Sequence, residues 1–201
     1  MTTIEIHDDL VRRGKALEYA TIGYNVIEGV IAVGAGIVAG SIALVGFGVD
    51  SAIEVFASLL LVWRLYAGVR VETRALQFVG VSFLLLAVYV TVDALKAMVA
   101  REAPRESMIG IVLAAASVVV MPLLARAKRR VADAIGSRAM HAEATQTQLC
   151  MFLSAILLGG LALNAALGWW WADPIAALVM VPIIAREGVE ALRGEACACE
   201  R

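Results

Sequence analysis

The amino-acid sequence predicts an all-α membrane protein, a bundle of six transmembrane helices. Its 201 residues are 61% hydrophobic and only 17% charged, with a mean hydropathy of +0.84, whereas soluble domains carry far more charge. The apolar residues also gather into runs of about 20 residues, the length that a helix needs to cross the bilayer core. Lysine and arginine concentrate in alternate connections between these runs, as in proteins that cross a membrane repeatedly.

The chain begins with a polar segment, residues 1–16, which is expected to be a short helix near the cytoplasmic surface. It lacks the basic start and short apolar core of a cleaved signal peptide. The apolar stretch at residues 19–63 is too long for one span, so we expect two spans with a turn at Gly40-Ser41. A single span over residues 29–49 would leave residues 52–63 as half a span, and we reject that division.

Four further spans follow in the remainder of the chain. They are predicted at residues 76–98, 108–125, 140–167 and 173–184, with a basic loop at residues 126–138 and an aromatic interfacial anchor at residues 169–171. The expected organisation is a cytoplasmic segment at residues 1–16, a membrane domain at residues 17–192 and a short cytoplasmic tail at residues 193–201, without a soluble domain.

The distribution of basic residues predicts the orientation. Of the 17 lysines and arginines, Lys96, Arg101 and Arg105 lie around the connection between the third and fourth spans, and the other 14 lie on the opposite side. By the positive-inside rule, both termini and the second and fourth connections are cytoplasmic, which requires an even number of spans. The net charge of -1 argues against a nucleic-acid-binding surface.

Two acids, Asp50 and Glu54, lie in the apolar run of residues 41–63. Their spacing places both carboxylates on one face of a helix, one turn apart. A charge near the centre of a bilayer costs about 2.5 to 3.5 kcal/mol even on the mildest scale. A divalent cation or protons would neutralise the pair, and carboxylate oxygens are suitable cation ligands. The alternative is a structural role, in which the two acids pair with an arginine or with backbone donors and hold helices together. The predicted spans contain no lysine or arginine at mid-span, so this alternative lacks its natural cationic partner.

A second pair, Gln146 and Cys150, is also spaced four residues apart, in the fifth predicted span. With Asp50 and Glu54 it could close a four-ligand metal site between two helices. A third acid, Glu28 in the first span, is either a proton acceptor or accessory ligand beside that site, or a hydrogen-bonding partner of a neighbouring helix.

These segments resemble the transmembrane domain of the cation diffusion facilitators. The resemblance rests on residues 40–44 leading into residues 50–54, and on residues 142–150 leading to the Trp-Trp-Ala-Asp-Pro sequence at residues 170–174, and it covers about residues 17–192. It implies a homodimer in the lipid of the inner or plasma membrane, with cytoplasmic termini. It also implies export of a divalent metal, most often zinc, in exchange for protons, with cadmium, cobalt, iron and manganese as further candidate cargoes.

The sequence departs from the family pattern on the fifth helix, where Gln146 and Cys150 replace the usual His or Asp. An amide is a poor ligand for transition metals, whereas a thiolate binds zinc and cadmium well, so we expect a softer site or an altered selectivity. In the alternative interpretation, Gln146 forms an interhelical hydrogen bond and Cys150 is a small buried apolar residue. Without the family's cytoplasmic domain, dimerisation is expected to depend on the transmembrane helices or on the N-terminal segment.

Several other polar residues carry weaker expectations. Asp93 and Glu143 lie nearer the membrane interfaces, where they either line the two mouths of the pathway or are solvated acids at helix ends. Asp173, followed by Pro174, is interpreted as a helix start rather than a ligand. Cys197 and Cys199 could capture a soft metal at the cytoplasmic mouth if two protomers together supplied four thiols.

The function expected from these observations is proton-coupled efflux of a divalent cation by alternating access, without enzymatic activity. The first rival is a non-transporting membrane module that binds metal or stabilises a partner through a degenerate site. The second rival is an intramembrane hydrolase that uses Asp50 and Glu54 as acid and base. The hydrolase is disfavoured because the sequence shows neither a histidine-rich metal centre nor a Ser-His arrangement.

Overall fold

The computed structural model describes residues 3–67, 72–101 and 105–193, and it folds as a bundle of six helices. Within these ranges there is no β-strand, so the all-α prediction is confirmed. The helices are α1 (Thr3–Ala39), α2 (Ile42–Ala67), α3 (Glu72–Ala100), α4 (Met108–Ile135), α5 (Arg138–Leu167) and α6 (Ala172–Leu192).

Five of the helices are long and apolar enough to cross a membrane. The candidate spans are Asp9–Ala39, Ile42–Trp63, Gly80–Ala100, Met108–Ile135 and Glu143–Leu167. The sixth helix, α6, does not meet the same criterion because Asp173, Arg186, Glu187 and Glu190 make it more charged. It nevertheless packs along α3 and contacts α2 and α5, so it belongs to the same bundle.

The turn between the first two helices lies where the sequence predicts it. Helix α1 ends at Ala39 and α2 begins at Ile42, with Gly40 and Ser41 between them. Gly40 has a φ of +69°, in the left-handed region that glycine adopts without a steric penalty. Two long apolar helices therefore pack as a hairpin around a two-residue connection.

The ends of two predicted segments are wrong. Helix α1 is continuous from Thr3, so the polar segment at residues 1–16 is not a separate surface helix. Helix α4 continues to Ile135, so most of the predicted basic loop at residues 126–138 is helical. The buried stripe of α4 extends through Ala125, Lys128 and Ala132 at helical spacing, which explains why the helix continues past the apolar run.

The helices of the bundle pack in pairs, and three of them also meet one another. Helices α1 and α2, α4 and α5, and α3 and α6 form the three most extensive pairs. Helix α2 also contacts α5 and α6, and α5 contacts α6, so these three helices meet one another. Close approach of α3 and α6 depends on glycine, because a Cβ atom added at Gly80 would lie 2.7 Å from the carbonyl oxygen of Gly188.

Candidate metal centre

A small cavity lies where α2, α5 and α6 meet, with α3 on its remaining side. Its volume, about 10 Å³, is roughly that required for one water molecule, and it would also admit a metal ion. The lining residues are Asp50, Glu54, Phe83, Gln146, Leu149, Cys150, Leu153, Ile184 and Glu187. The structure thus brings the four predicted ligand residues to a single cavity.

Asp50 and Glu54 supply the acidic wall of this cavity from α2. Only 5% of Asp50 and 1% of Glu54 is exposed, so both carboxyl groups lie in a dry environment. Glu54 Oε1 accepts a hydrogen bond of 2.9 Å from the hydroxyl group of Thr147. Among the residues that the structure describes, Glu54 Oε2 is buried without a hydrogen-bond partner. A buried acceptor without a partner is destabilising, so this atom is suited to a ligand.

Helix α5 forms the opposite wall with Gln146 and Cys150. Cys150 is a free thiol, 2% exposed, and lies beside the carboxyl group of Glu54. The amide nitrogen of Gln146 is buried and has no hydrogen-bond partner within the described part of the chain. That nitrogen therefore donates no interhelical hydrogen bond to a described residue.

A third acid, Glu187 on α6, lines the same cavity. It was not among the predicted ligands because the sixth span was expected to end near residue 184, which placed Glu187 beyond that span. The helical spacing of Met180, Ile184 and Glu187 is the signal that could have located it, since the three fall on one face of a continuous helix.

The lining side chains do not enclose a complete coordination sphere in this conformation. In the described ranges, no group of three or more His, Cys, Asp or Glu side chains is close enough to hold a metal ion. The cavity therefore gathers acidic and thiol groups without forming a closed structural metal site, which would hold four ligands around the ion.

A buried cation lies one layer away from the cavity, at a position that was predicted to be in a basic loop. Lys128 of α4 is fully buried, and its ammonium group lies 3.1 Å from Glu18 Oε2 and 3.4 Å from Glu143 Oε1. Its third hydrogen bond, of 3.3 Å, goes to the hydroxyl group of Thr147. Lys128 was predicted to lie in the basic loop at residues 126–138, whereas it lies in the last third of α4.

The three accessory acids lie outside the cavity lining. Glu28 is buried and accepts hydrogen bonds from Ser51 of α2, at 3.0 Å, and from Ser117 of α4, in keeping with its structural interpretation. Glu143 is buried and bonded to Lys128 and Ser58, so its interpretation as a solvated helix-end acid is wrong. Asp93 is half-buried on α3.

Asp173 lies in the first turn of α6, as predicted, but its carboxylate serves another helix. It accepts hydrogen bonds from the backbone N–H of Ile42, at 2.9 Å, and from the hydroxyl group of Ser41. It therefore caps the start of α2 and does not line the cavity. The predicted capture site at Cys197 and Cys199 lies outside the described residues.

A helical membrane bundle with an acidic cavity at its centre defines the protein as an integral membrane protein of the ion-carrier class. The family model described as the cation efflux transmembrane domain matches residues 19–195. The chain therefore belongs to the cation efflux family, as its motifs predict, and its general function is that of a metal cation efflux transporter. No individually curated protein matches the chain.

Proposed function

We propose that this protein exports a divalent cation, zinc foremost, in exchange for protons, and that Asp50 and Glu54 are its principal ligands. The main observation that supports this proposal is the negative charge of the side chains that line the cavity. Its described lining contains three acids and no lysine or arginine. Buried carboxylates without a cation are strongly unfavourable, so a metal ion or protons must neutralise them at every stage of transport.

Exchange of metal for protons follows because both bind the same carboxylate oxygen atoms. A cation that arrives from the cytoplasm displaces protons from Asp50 and Glu54, since metal ligands must be deprotonated. The bundle then turns to face outward by alternating access, and returning protons release the ion. The open arrangement of the ligands supports a carrier, because a cargo must leave as readily as it enters.

The donor set supports a cargo softer than magnesium or calcium. Cys150 would contribute a thiolate once the metal displaces its proton, and Glu187 would add a third carboxylate from α6. Thiolate favours zinc and cadmium, whereas a purely oxygen-lined site favours magnesium, calcium or manganese. Gln146 would contribute its amide oxygen as the weakest of the proposed ligands.

The orientation and the assembly are part of the same proposal. The 14 basic residues on one side support cytoplasmic termini. The protein is proposed to act as a homodimer in the inner or plasma membrane, joined through its transmembrane helices. Large apolar side chains such as Leu85, Val88 and Val99 are exposed on α3 and are available to lipid or to a second protomer.

A second candidate function is a metal-binding module that does not transport. The observation that favours it is that Gln146 and Cys150 stand on α5 where the family pattern has His or Asp, which leaves weaker or altered ligands in the cavity. This candidate predicts metal binding without flux, so the two functions differ in one measurement.

The test is metal uptake into proteoliposomes under an imposed pH gradient, with zinc, cadmium, cobalt, iron(II) and manganese offered singly. We expect zinc uptake that depends on the gradient and disappears in Asp50→Asn. The matched control is Glu106→Gln, which neutralises an exposed acid outside the cavity and should leave uptake intact. Calorimetric binding of zinc without uptake under any gradient would establish the module instead.

A further inference from the structure

We propose that Lys128 is a positioning residue for the candidate metal centre, and that it acts through the hydroxyl group of Thr147 to fix which oxygen atom Glu54 presents to the cation. The inference rests on the proposed function, because it concerns the ligands of the same cavity. Neither Lys128 nor Thr147 lines that cavity.

A continuous chain of hydrogen bonds joins the three side chains across α4, α5 and α2. Lys128 Nζ lies 3.3 Å from Thr147 Oγ1, and Thr147 Oγ1 lies 2.9 Å from Glu54 Oε1. Lys128 and Thr147 are fully buried, and Glu54 is 1% exposed. In so dry a setting each bond is electrostatically stronger than it would be in water, and neighbouring bonds polarise one another.

The chemistry of the groups sets the direction of this chain. An ammonium group only donates, so the oxygen atom of Thr147 accepts from Lys128 and must send its single proton elsewhere. Two acceptors are in reach, Glu54 Oε1 at 2.9 Å and the backbone carbonyl oxygen of Glu143 at 3.0 Å. A carboxylate is the stronger acceptor, so the hydroxyl proton goes to Glu54.

The consequence for Glu54 is that its two oxygen atoms are no longer equivalent. Oε1 is engaged by Thr147, whereas Oε2 is buried and has no partner among the described residues. The geometry therefore leaves one oxygen atom for the cation. A carboxylate held in this way is preorganised, which reduces the side-chain entropy lost when metal binds.

Lys128 is itself held in place. Its three N–H donors match three acceptors, namely Glu18 of α1, Glu143 of α5 and Thr147. A lysine that only joined helices would need no more than its bonds to Glu18 and Glu143. The third bond, to Thr147, connects Lys128 with Glu54 in the cavity wall. Lys128 carries one positive charge and pairs with two acids, Glu18 and Glu143, so it does not neutralise both of them.

The test compares zinc uptake by Thr147→Val, which removes the hydroxyl group at nearly constant volume, with uptake by Thr147→Ser, which keeps it. We expect Thr147→Val to raise KM for zinc by about tenfold with kcat changed less than about twofold, because a hydrogen bond to a charged group is lost. Thr147→Ser should restore the wild-type KM. The matched control is Thr145→Val on the same helix, whose hydroxyl group donates to the carbonyl oxygen of His141 at 3.0 Å.

The contribution of Lys128 is measured by a double-mutant cycle with Lys128→Gln, which retains a donor for Glu18 and Glu143 without the charge. If Lys128 acts through Thr147, the double variant should have the KM of Thr147→Val alone. If the increases in KM from Lys128→Gln and Thr147→Val multiply in the double variant, the two residues act independently and the proposal is wrong. An unchanged KM in folded Thr147→Val would also overturn it.

The failure of this inference differs from failure of the proposed function. If Asp50→Asn abolishes uptake while Thr147→Val leaves KM unchanged, the positioning role is wrong and the transport proposal stands. If Asp50→Asn transports zinc normally, the transport proposal is wrong and the positioning role falls with it. Melting curves and size-exclusion profiles of each purified variant separate a change in KM from a loss of folded protein.

Discussion

The carboxylate of Asp173 in α6 accepts a hydrogen bond of 2.9 Å from the backbone N–H of Ile42, the first residue of α2. The first backbone N–H groups of a helix have no partner within that helix, and a carboxylate also meets the positive end of the helix dipole there. The start of the helix that carries Asp50 and Glu54 is thus fixed by a side chain from the far end of the chain.

The first prediction concerns this cap. Asp173→Ala should lower the unfolding free energy by about 1 to 3 kcal/mol, because it leaves the backbone N–H of Ile42 and the hydroxyl group of Ser41 without their acceptor. The loss is measured as a lower melting temperature of the purified protein in detergent. Glu106→Ala, which removes an exposed acid, is the control. Equal melting temperatures for both variants would contradict the capping role.

The same pair of helices shows what sequence patterns can predict in this protein. The position of the turn at Gly40-Ser41 followed from the length of the apolar stretch, and Asp50 and Glu54 stood out because acids are expensive in an apolar span. A role for Asp173 at the start of a helix was also predictable, since aspartate before proline is typical of that position. The sequence did not indicate that Asp173 caps α2 rather than its own helix, because that depends on how α6 packs against α2.

Lys128 and Glu187 did not stand out from the length of the apolar runs or from the cost of acids within them. Both lie next to other charged residues, at the ends of apolar runs where solvated loops are the usual outcome. The burial of Lys128 and the place of Glu187 on the cavity follow from where the helix face continues, which depends on how α4 and α6 pack against their neighbours. Tertiary packing therefore decided which charges were inside, and local composition did not.

The second prediction concerns Glu187, the acid that the structure adds to the cavity. Glu187→Gln should weaken zinc binding by about tenfold, since it removes one of three negative charges around the cation. The measurement is calorimetric titration of the purified protein with zinc. Glu190→Gln is the matched control, because Glu190 pairs with Arg186 at 2.7 Å and does not line the cavity. Similar affinities in the two variants would remove Glu187 from the site.

The third prediction concerns Glu28, which was expected either to assist the metal or to join helices. Both of its oxygen atoms accept hydrogen bonds, from Ser51 and Ser117, and it does not line the cavity. Glu28→Gln should therefore leave zinc affinity within about twofold of wild type. Glu28→Ala should lower the melting temperature, because two buried hydroxyl groups lose their acceptor.

The outcome that would contradict this assignment is specific. A tenfold loss of zinc affinity in Glu28→Gln, at an unchanged melting temperature, would return Glu28 to the site as an accessory ligand. A gradient-dependent uptake that slows without a change in affinity would instead support a role in proton transfer.

The fourth prediction concerns metal preference, which the two side chains on α5 should control. Cys150 is the only thiol in the described cavity lining, and a thiolate binds cadmium and zinc far better than it binds manganese. Cys150→Ser should therefore lower the ratio of cadmium to manganese uptake by at least tenfold. Gln146→His should tighten zinc binding, since it replaces a weak amide ligand by an imidazole group.

Comparison of Cys150→Ser with Cys150→Ala tests whether Cys150 is a metal ligand or only a packing residue. Cys150 is buried against the core, so Cys150→Ala keeps the small size of the side chain and removes only the sulfur atom. If the thiol is a ligand, Cys150→Ala and Cys150→Ser should change metal preference alike, although alanine is apolar and serine is not. If Cys150 only fills space, both should transport every metal in the wild-type order, and the softness of the site would have to come from elsewhere.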